Sequence, residues 1–244
     1  MKINIDKTTY VFLLISFLAG YFEYIYLLLI IIFIHEMGHA FIGKLVRFKN
    51  IVITIYPFGG VTTFNEDLNT FIYKEFLSLL GGIFFQGLFY LFCFYMHNSL
   101  FITDHVFYIV KRINILLVSY NFLPIIPLDG GKLLNILLDI FFPYKISNKI
   151  SVIISFVFAI IFVYKKATIF SLLLSLFLIK CIINEINNIP SKYNRFLFER
   201  FINKYNFKRI KIVKSINLLY RDCNHIINNE FESDVLHKLF DRKI

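Results

Sequence analysis

Apolar residues run along this chain in long unbroken stretches, and polar residues gather between them. Residues 8–22 are apolar, residues 24–46 follow almost at once, and further runs cover about 71–96, 106 onward, 150–164 and 167–186. Runs of such length predict helices able to cross a bilayer. The pattern predicts an all-α polytopic membrane protein, a six-span helical bundle. Two stretches interrupt it. Residues 51–63 alternate β-branched positions around Pro57-Phe58-Gly59-Gly60, which predicts a short β-hairpin or a re-entrant loop after span two. Residues 121–132 hold two prolines and then two glycines, so span four is broken there.

The first run could be a signal peptide with Ala19-Gly20 near its cleavage point. It lacks a small-x-small site and a second run follows directly, so a retained helical hairpin is the better reading. Lys44, Arg47 and Lys49 close span two, a basic cluster suited to the cytoplasmic face. Across six spans, Lys2, Lys7, Lys74, Lys132, Lys145, Lys149 and the tail share that face, against Lys111, Arg112, Lys165 and Lys166 opposite. The asymmetry puts both termini in the cytoplasm. Residues 190–244 read as a basic cytoplasmic tail, helical at 232–240 and too short for a large core of its own. Residues 1–189 form the membrane domain.

Composition agrees. Hydrophobic residues make up 58% of the 244, outside ordinary soluble usage. The net charge of +10 would suit nucleic acid, but its placement argues otherwise. Twelve of the 26 basic residues lie beyond Pro190, and most others flank apolar runs, as membrane topology requires. No nucleic-acid partner is expected; the lipid bilayer is. Cys93, Cys181 and Cys223 are too scattered for a disulfide framework or a cysteine zinc site.

One pentapeptide inside span two carries chemistry. His35-Glu36-Met37-Gly38-His39 places two imidazoles at i and i+4, on one helix face. That is the His-Glu-x-x-His pattern of zinc-dependent peptide hydrolysis, with Glu36 as general base. Ionisable side chains at that depth each cost about 2.5–3.5 kcal/mol when charged, which argues against an idle polar contact. Glu36 stands eight residues before Lys44, about 12 Å deeper along the helix. A zinc held by three side chains keeps one position open, polarises a carbonyl and activates water. The third ligand is Asp129 in the broken stretch, or Glu66 or Asp67 in the polar loop; the apolar, proline-lined setting favours Asp129. A spanning helix hides its carbonyls in hydrogen bonds. The substrate must therefore unwind or add as a strand beside residues 51–63. Asn121 either supports substrate or metal, or simply breaks the helix.

His35-Glu-x-x-His39 together with Asn121-x-x-Pro-x-x-Pro127-x-Asp129-Gly resembles the site-2 protease family of zinc intramembrane metalloproteases. Tyr56-Pro-Phe-Gly-Gly60, residues 124–134 and Arg195-Phe-Leu-Phe-Glu-Arg200 are similar to its stage IV sporulation protease FB group. The resemblance spans most of residues 24–200. It implies Zn2+ at His35, His39 and Asp129, Glu36 as base, and Asn121, Pro127, Phe58, Gly59 and Gly60 as substrate-binding or supporting residues. It also implies a multi-pass protein of a bacterial cell membrane that cleaves a membrane-associated precursor near the cytoplasmic face. A pro-sigma factor in sporulation is the precedent, with inhibitory membrane proteins as further partners. Two departures stand out. Gly82-Ile83 and Gln86 occupy positions where the family often has Gly-Pro and Asn. Residues 234–240 resemble the last helix of a CBS domain whose middle is missing. The competing readings are a non-proteolytic scaffold and a transporter; a retained Glu36 and the lack of internal repeats disfavour them.

Overall fold

Helix α2 (Phe22–Leu45) carries the pentapeptide, and one compact unit, residues 1–66 and 74–120, is built around it. The computed structural model describes residues 1–56, 59–165, 169–203, 205 and 207–241. Pro57, Phe58 and Lys166 lie outside the described residues.

In this first unit a three-stranded sheet packs on α2. Strand β1 (Lys2–Ile5) runs parallel to β2 (Val52–Tyr56), and β3 (Gly59–Thr63) runs antiparallel to β2, with Tyr56 opposite Gly59. The strands β2 and β3 occupy the predicted alternating stretch. The strand β1 is an addition: its four residues are short and local pattern does not announce them, because their hydrogen bonds come from Val52–Tyr56. Ile53 and Ile55 are buried in one core cluster with Ile31 and Ile32 of α2 and Ile109, Val110, Ile113 and Leu117 of α4 (Asp104–Asn121). Helix α1 (Lys7–Leu18) is capped by Asp6, whose carboxylate accepts from the Thr8 amide at 2.9 Å. Thr9 Oγ1 then donates to Ile55 O at 3.0 Å, fixing α1 to the sheet. With 12 residues, α1 is shorter than the roughly 20 that a crossing needs.

Helix α2 stops cleanly. Arg47 takes a left-handed conformation (φ 70°), its amide reaches Lys44 O, and the Phe48 amide reaches Gly43 O at 2.8 Å. This is a Schellman ending with arginine where glycine is usual. Helix α3 (Ile72–Asn98) crosses α2 at a pair of glycines. A Cβ on either Gly38 or Gly81 would fall on the other's carbonyl oxygen. Only hydrogen side chains permit that approach.

The second unit comprises residues 67–73 and 121–244. Its helices are α5 (Asp129–Phe141), α6 (Tyr144–Lys165) and α7 (Ile169–Ile202). Ile125, buried fully, anchors the segment before α5 among Val152, Leu178 and Ile182. Helix α7 passes through Pro190 and continues for three turns. Its last turns place Tyr193, Phe196 and Leu197 in a core shared with Val213, Leu219, Ile227 and Leu236. That burial outweighs the one hydrogen bond a helical proline forgoes. The tail thus forms a small sheet, β4 (Ile210–Val213), β5 (Asn224–Ile227) and β6 (Glu230–Phe231), closed by α8 (Glu232–Phe240). It borrows the end of α7 for a core, as its length requires.

Among the described residues, three helices are long and apolar enough to cross a membrane: Phe22–Leu45, Ile72–Asn98 and Tyr144–Phe162.

Candidate metal centre

His35, Glu36 and His39 lie together on α2, each no more than 5% exposed. Among the described residues they are the one group of three metal-type donors within 4.8 Å of one another. The helix repeat brings the two rings edge to face, centroids 4.7 Å apart.

Their partners determine which nitrogens are available. His39 Nδ1 lies 2.9 Å from Ser78 O on α3, and a carbonyl only accepts, so Nδ1 carries the proton. His35 Nδ1 lies 2.9 Å from Gln86 Oε1. The Gln86 amide cannot be reversed, since its Nε2 donates to the Asn114 carbonyl at 3.3 Å. His35 Nδ1 must therefore donate as well. Both Nε2 atoms are therefore unprotonated, each presenting a lone pair, and they face each other at 3.1 Å. Two such lone pairs repel unless a cation lies between them. Nitrogens about 2.0–2.1 Å from one tetrahedral ion would stand roughly 3.3 Å apart, close to what is found. The donor set fits zinc.

Glycine shapes the walls. A Cβ on Gly82 would land 2.5 Å from His39 Cε1 and 2.8 Å from His35 Cε1. A Cβ on Gly60 would lie 2.7 Å from Glu36 Cδ and 2.8 Å from its Oε1. Thr62 Oγ1 on β3 donates to Glu36 Oε2 at 2.6 Å, which leaves Oε1 on the side facing Gly60. Sheet and carboxylate are therefore built as one piece.

Asp129 opens α5 in the second unit. Its Oδ1 is 3.3 Å from Lys132 Nζ, and its side chain is 13% exposed. Gly130 and Gly131 press that terminus onto backbone: a Cβ on either would meet Leu123 O or Ile125 C at 2.5 Å. Asn121 ends α4, and Pro127 follows a cis Ile126–Pro127 peptide, where the Ile126 amide donates to Ser155 Oγ at 3.1 Å. Gly59 and Gly60 open β3. Phe58 is not among the described residues. The alternative donors are engaged elsewhere: Glu66 accepts from the Lys49 amide, and Asp67 accepts from Tyr205 Oη at 2.8 Å. Burial, with Asp67 alongside, pushes that tyrosine up to about 12.

Sequence reasoning missed Ser78 and Thr62, and it noted Gln86 and Gly82 without giving either a part in the metal site. A signal existed: Ser78, Gly82 and Gln86 recur every fourth residue in an otherwise apolar run, one face of α3.

The site and the fold together are those of a membrane metalloprotease, and the chain is similar to the site-2 proteases of peptidase family M50. The family's profile matches residues 96–164, which include Asp129. Over its full length the chain is 27% identical to Stage IV sporulation protein FB of Bacillus subtilis (strain 168), covering 90% of that protein. It is also 27% identical over 130 residues to Zinc metalloprotease MJ0392 of Methanocaldococcus jannaschii, 51% of this chain and 37% of that one. A solved site-2 protease from Methanocaldococcus jannaschii shares the fold, with a TM-score of 0.58 and 23% identity over 75% of this chain and 89% of that one.

Proposed function

We propose that this chain cleaves a membrane-associated precursor protein inside the bilayer near the cytoplasmic face, with zinc held by His35, His39 and Asp129. Six spans and two cytoplasmic termini complete the reading. Likeness to a protein named for sporulation supports a precursor that acts in sporulation, and the reading takes a pro-sigma factor as that substrate, with inhibitory membrane proteins as regulators. One observation carries the proposal: Ser78 and Gln86 hold both Nδ1 protons, so the two buried Nε2 lone pairs converge beside Glu36.

Bound there, zinc supplies Lewis acidity toward the scissile carbonyl and an activated water. Glu36 takes the water's proton on Oε1, because Thr62 already occupies Oε2. As the carbonyl carbon gains the water oxygen and the C–N bond breaks, Glu36 returns that proton to the leaving nitrogen. Gln86 and Ser78 keep both rings aimed throughout. The strand β3 is paired with β2 along one edge only among the described residues. An unwound substrate segment hydrogen-bonds along the other edge, beside Glu36, with Gly59 and Gly60 allowing close approach. Asn121 and Pro127 support that segment or the metal.

The test is co-expression with candidate membrane-tethered precursors, together with zinc analysis of the purified protein. The shortened product should vanish in Glu36→Gln while zinc stays bound. Asp129→Asn should lose zinc, with Glu66→Gln and Asp67→Asn unaffected. Product formation by Glu36→Gln, or full zinc in Asp129→Asn, overturns the assignment.

A further inference from the structure

The tail sheet has two faces, one packed on the core and one open. Val213 and Ile227 point into the core beneath it, with Leu219 and Leu236. On the opposite face, the register aligns Ile212 with Ile226, and Ile226 with Phe231. Partners in register share a face, so Ile210, Ile212, Ile226 and Phe231 form one patch, with Asn224 opposite Ile210 as its polar member. It is open: Ile210 is 67% exposed, Ile212 79% and Phe231 67%. A solvated sheet face ordinarily alternates to polar residues, and a contiguous apolar patch on it marks a contact. Lys208, Arg209 and Lys214, all exposed, flank β4 on either side. The nearby acidic groups are neutralised, Glu230 by Lys238 and Glu232 by Arg200.

We propose that this face docks on the anionic surface of the bilayer in which the chain is embedded. Isoleucine and phenylalanine enter the headgroup boundary while the lysines and arginine meet acidic lipid headgroups. The sheet begins eight residues after α7 ends, so the tether keeps it within reach of lipid at high effective concentration. An acidic protein partner would need the same charge but no acyl chains, and the sheet's apolar centre favours lipid. The inference does not depend on the proteolytic reading.

The chain has no tryptophan, so one introduced residue reports alone. Full-length Ile212→Trp and, separately, Phe231→Trp are placed in nanodiscs of phosphatidylcholine with or without phosphatidylglycerol. Ser233→Trp on α8, which packs on the other face, is the control. Both face reporters should shift to the blue and be quenched by acyl-brominated lipid in the phosphatidylglycerol discs, and Lys208→Gln with Lys214→Gln should abolish this. Water-like emission without quenching at both face positions overturns the proposal. So does equal quenching at Ser233→Trp, or a blue shift that appears only when an acidic protein is added.

Discussion

The molecule holds two buried groups of histidine and glutamate, and their nitrogens are arranged differently. In the tail, His225 accepts the Tyr220 amide on Nε2 at 2.9 Å and faces Glu232 Oε2 with Nδ1 at 2.8 Å. Glu232 takes Arg200 Nη1 at 2.8 Å and the His225 amide at 3.0 Å. Arg200 also meets Asn69, Cys223 O and Tyr220 O. Each strong donor there is matched to an acceptor, which is what scaffolding requires. In α2 the same residue types leave two lone pairs opposed and a carboxylate oxygen against bare glycine backbone. Burial and composition do not separate the two groups. What separates them is what the second nitrogen of each histidine faces: a backbone amide for His225, the other imidazole for His35 and His39.

The widest break in that comparison is chemical. Glu36→Gln should cut kcat/KM by about 10²–10⁴-fold, the usual share of a general base, and zinc content should stay at wild type. Glu232→Gln, a matched change in the tail, should leave kcat unchanged at neutral pH and instead destabilise the fold by about 3–5 kcal/mol, since Arg200 would stay buried without its charge partner. Chemical denaturation followed by circular dichroism measures that loss. Equal loss of turnover in the two variants would erase the distinction. Gly82→Ala comes next. Its methyl cannot avoid the imidazoles without moving α3, so bound zinc should fall at least about tenfold, the scale of disturbed ligand orientation. Gly87→Ala, where a Cβ meets nothing within 4 Å, should keep its zinc and gain up to about 1 kcal/mol of helix stability.

The clustering of His35, Glu36 and His39 was legible in the sequence. The i, i+4 histidines, the alternating strands β2 and β3, and the helix Glu232–Phe240 all depend on local period. What escaped depends on distant pairing. Ser78 and Gln86 are 39 and 51 residues from their histidines, and β1 exists only because β2 lies beside it. The passage of α7 through Pro190 was hidden for a related reason. The residues that hold those turns helical, Val213 to Leu236, come later in the chain.

A smaller change sharpens the same contrast within the metal site. Gln86→Leu removes the acceptor that holds His35 Nδ1–H and frees that ring to adopt the other tautomer. Zinc affinity should drop about 10–100-fold. Competition with a chelator of known affinity measures it. Gln86→Asn, a shorter amide of the type common in the family, should recover part of the loss if a second-neighbour acceptor is what matters. Identical affinities for Gln86→Leu and wild type would mean the helix alone aims the ring.

The smallest effect concerns acid, and it falls on the tail. Burial alone would raise the Glu232 pKa, but the hydrogen bond from His225 and the Arg200 charge more than offset it, so the carboxyl lies below its ordinary 4.5. A depressed folded pKa gives stability that is present in full above the unfolded value and lost as pH falls through the folded one. The tail should therefore hold down to about pH 4.5 and loosen below it, seen as faster amide exchange in Ile210–Val213 and Asn224–Ile227. In Glu232→Gln that acid step should disappear, because no carboxylate remains to be protonated. Persistence of the step in that variant would place its origin elsewhere, with the buried Asp139–Arg221 pair (3.1 Å) the next carboxylate to substitute.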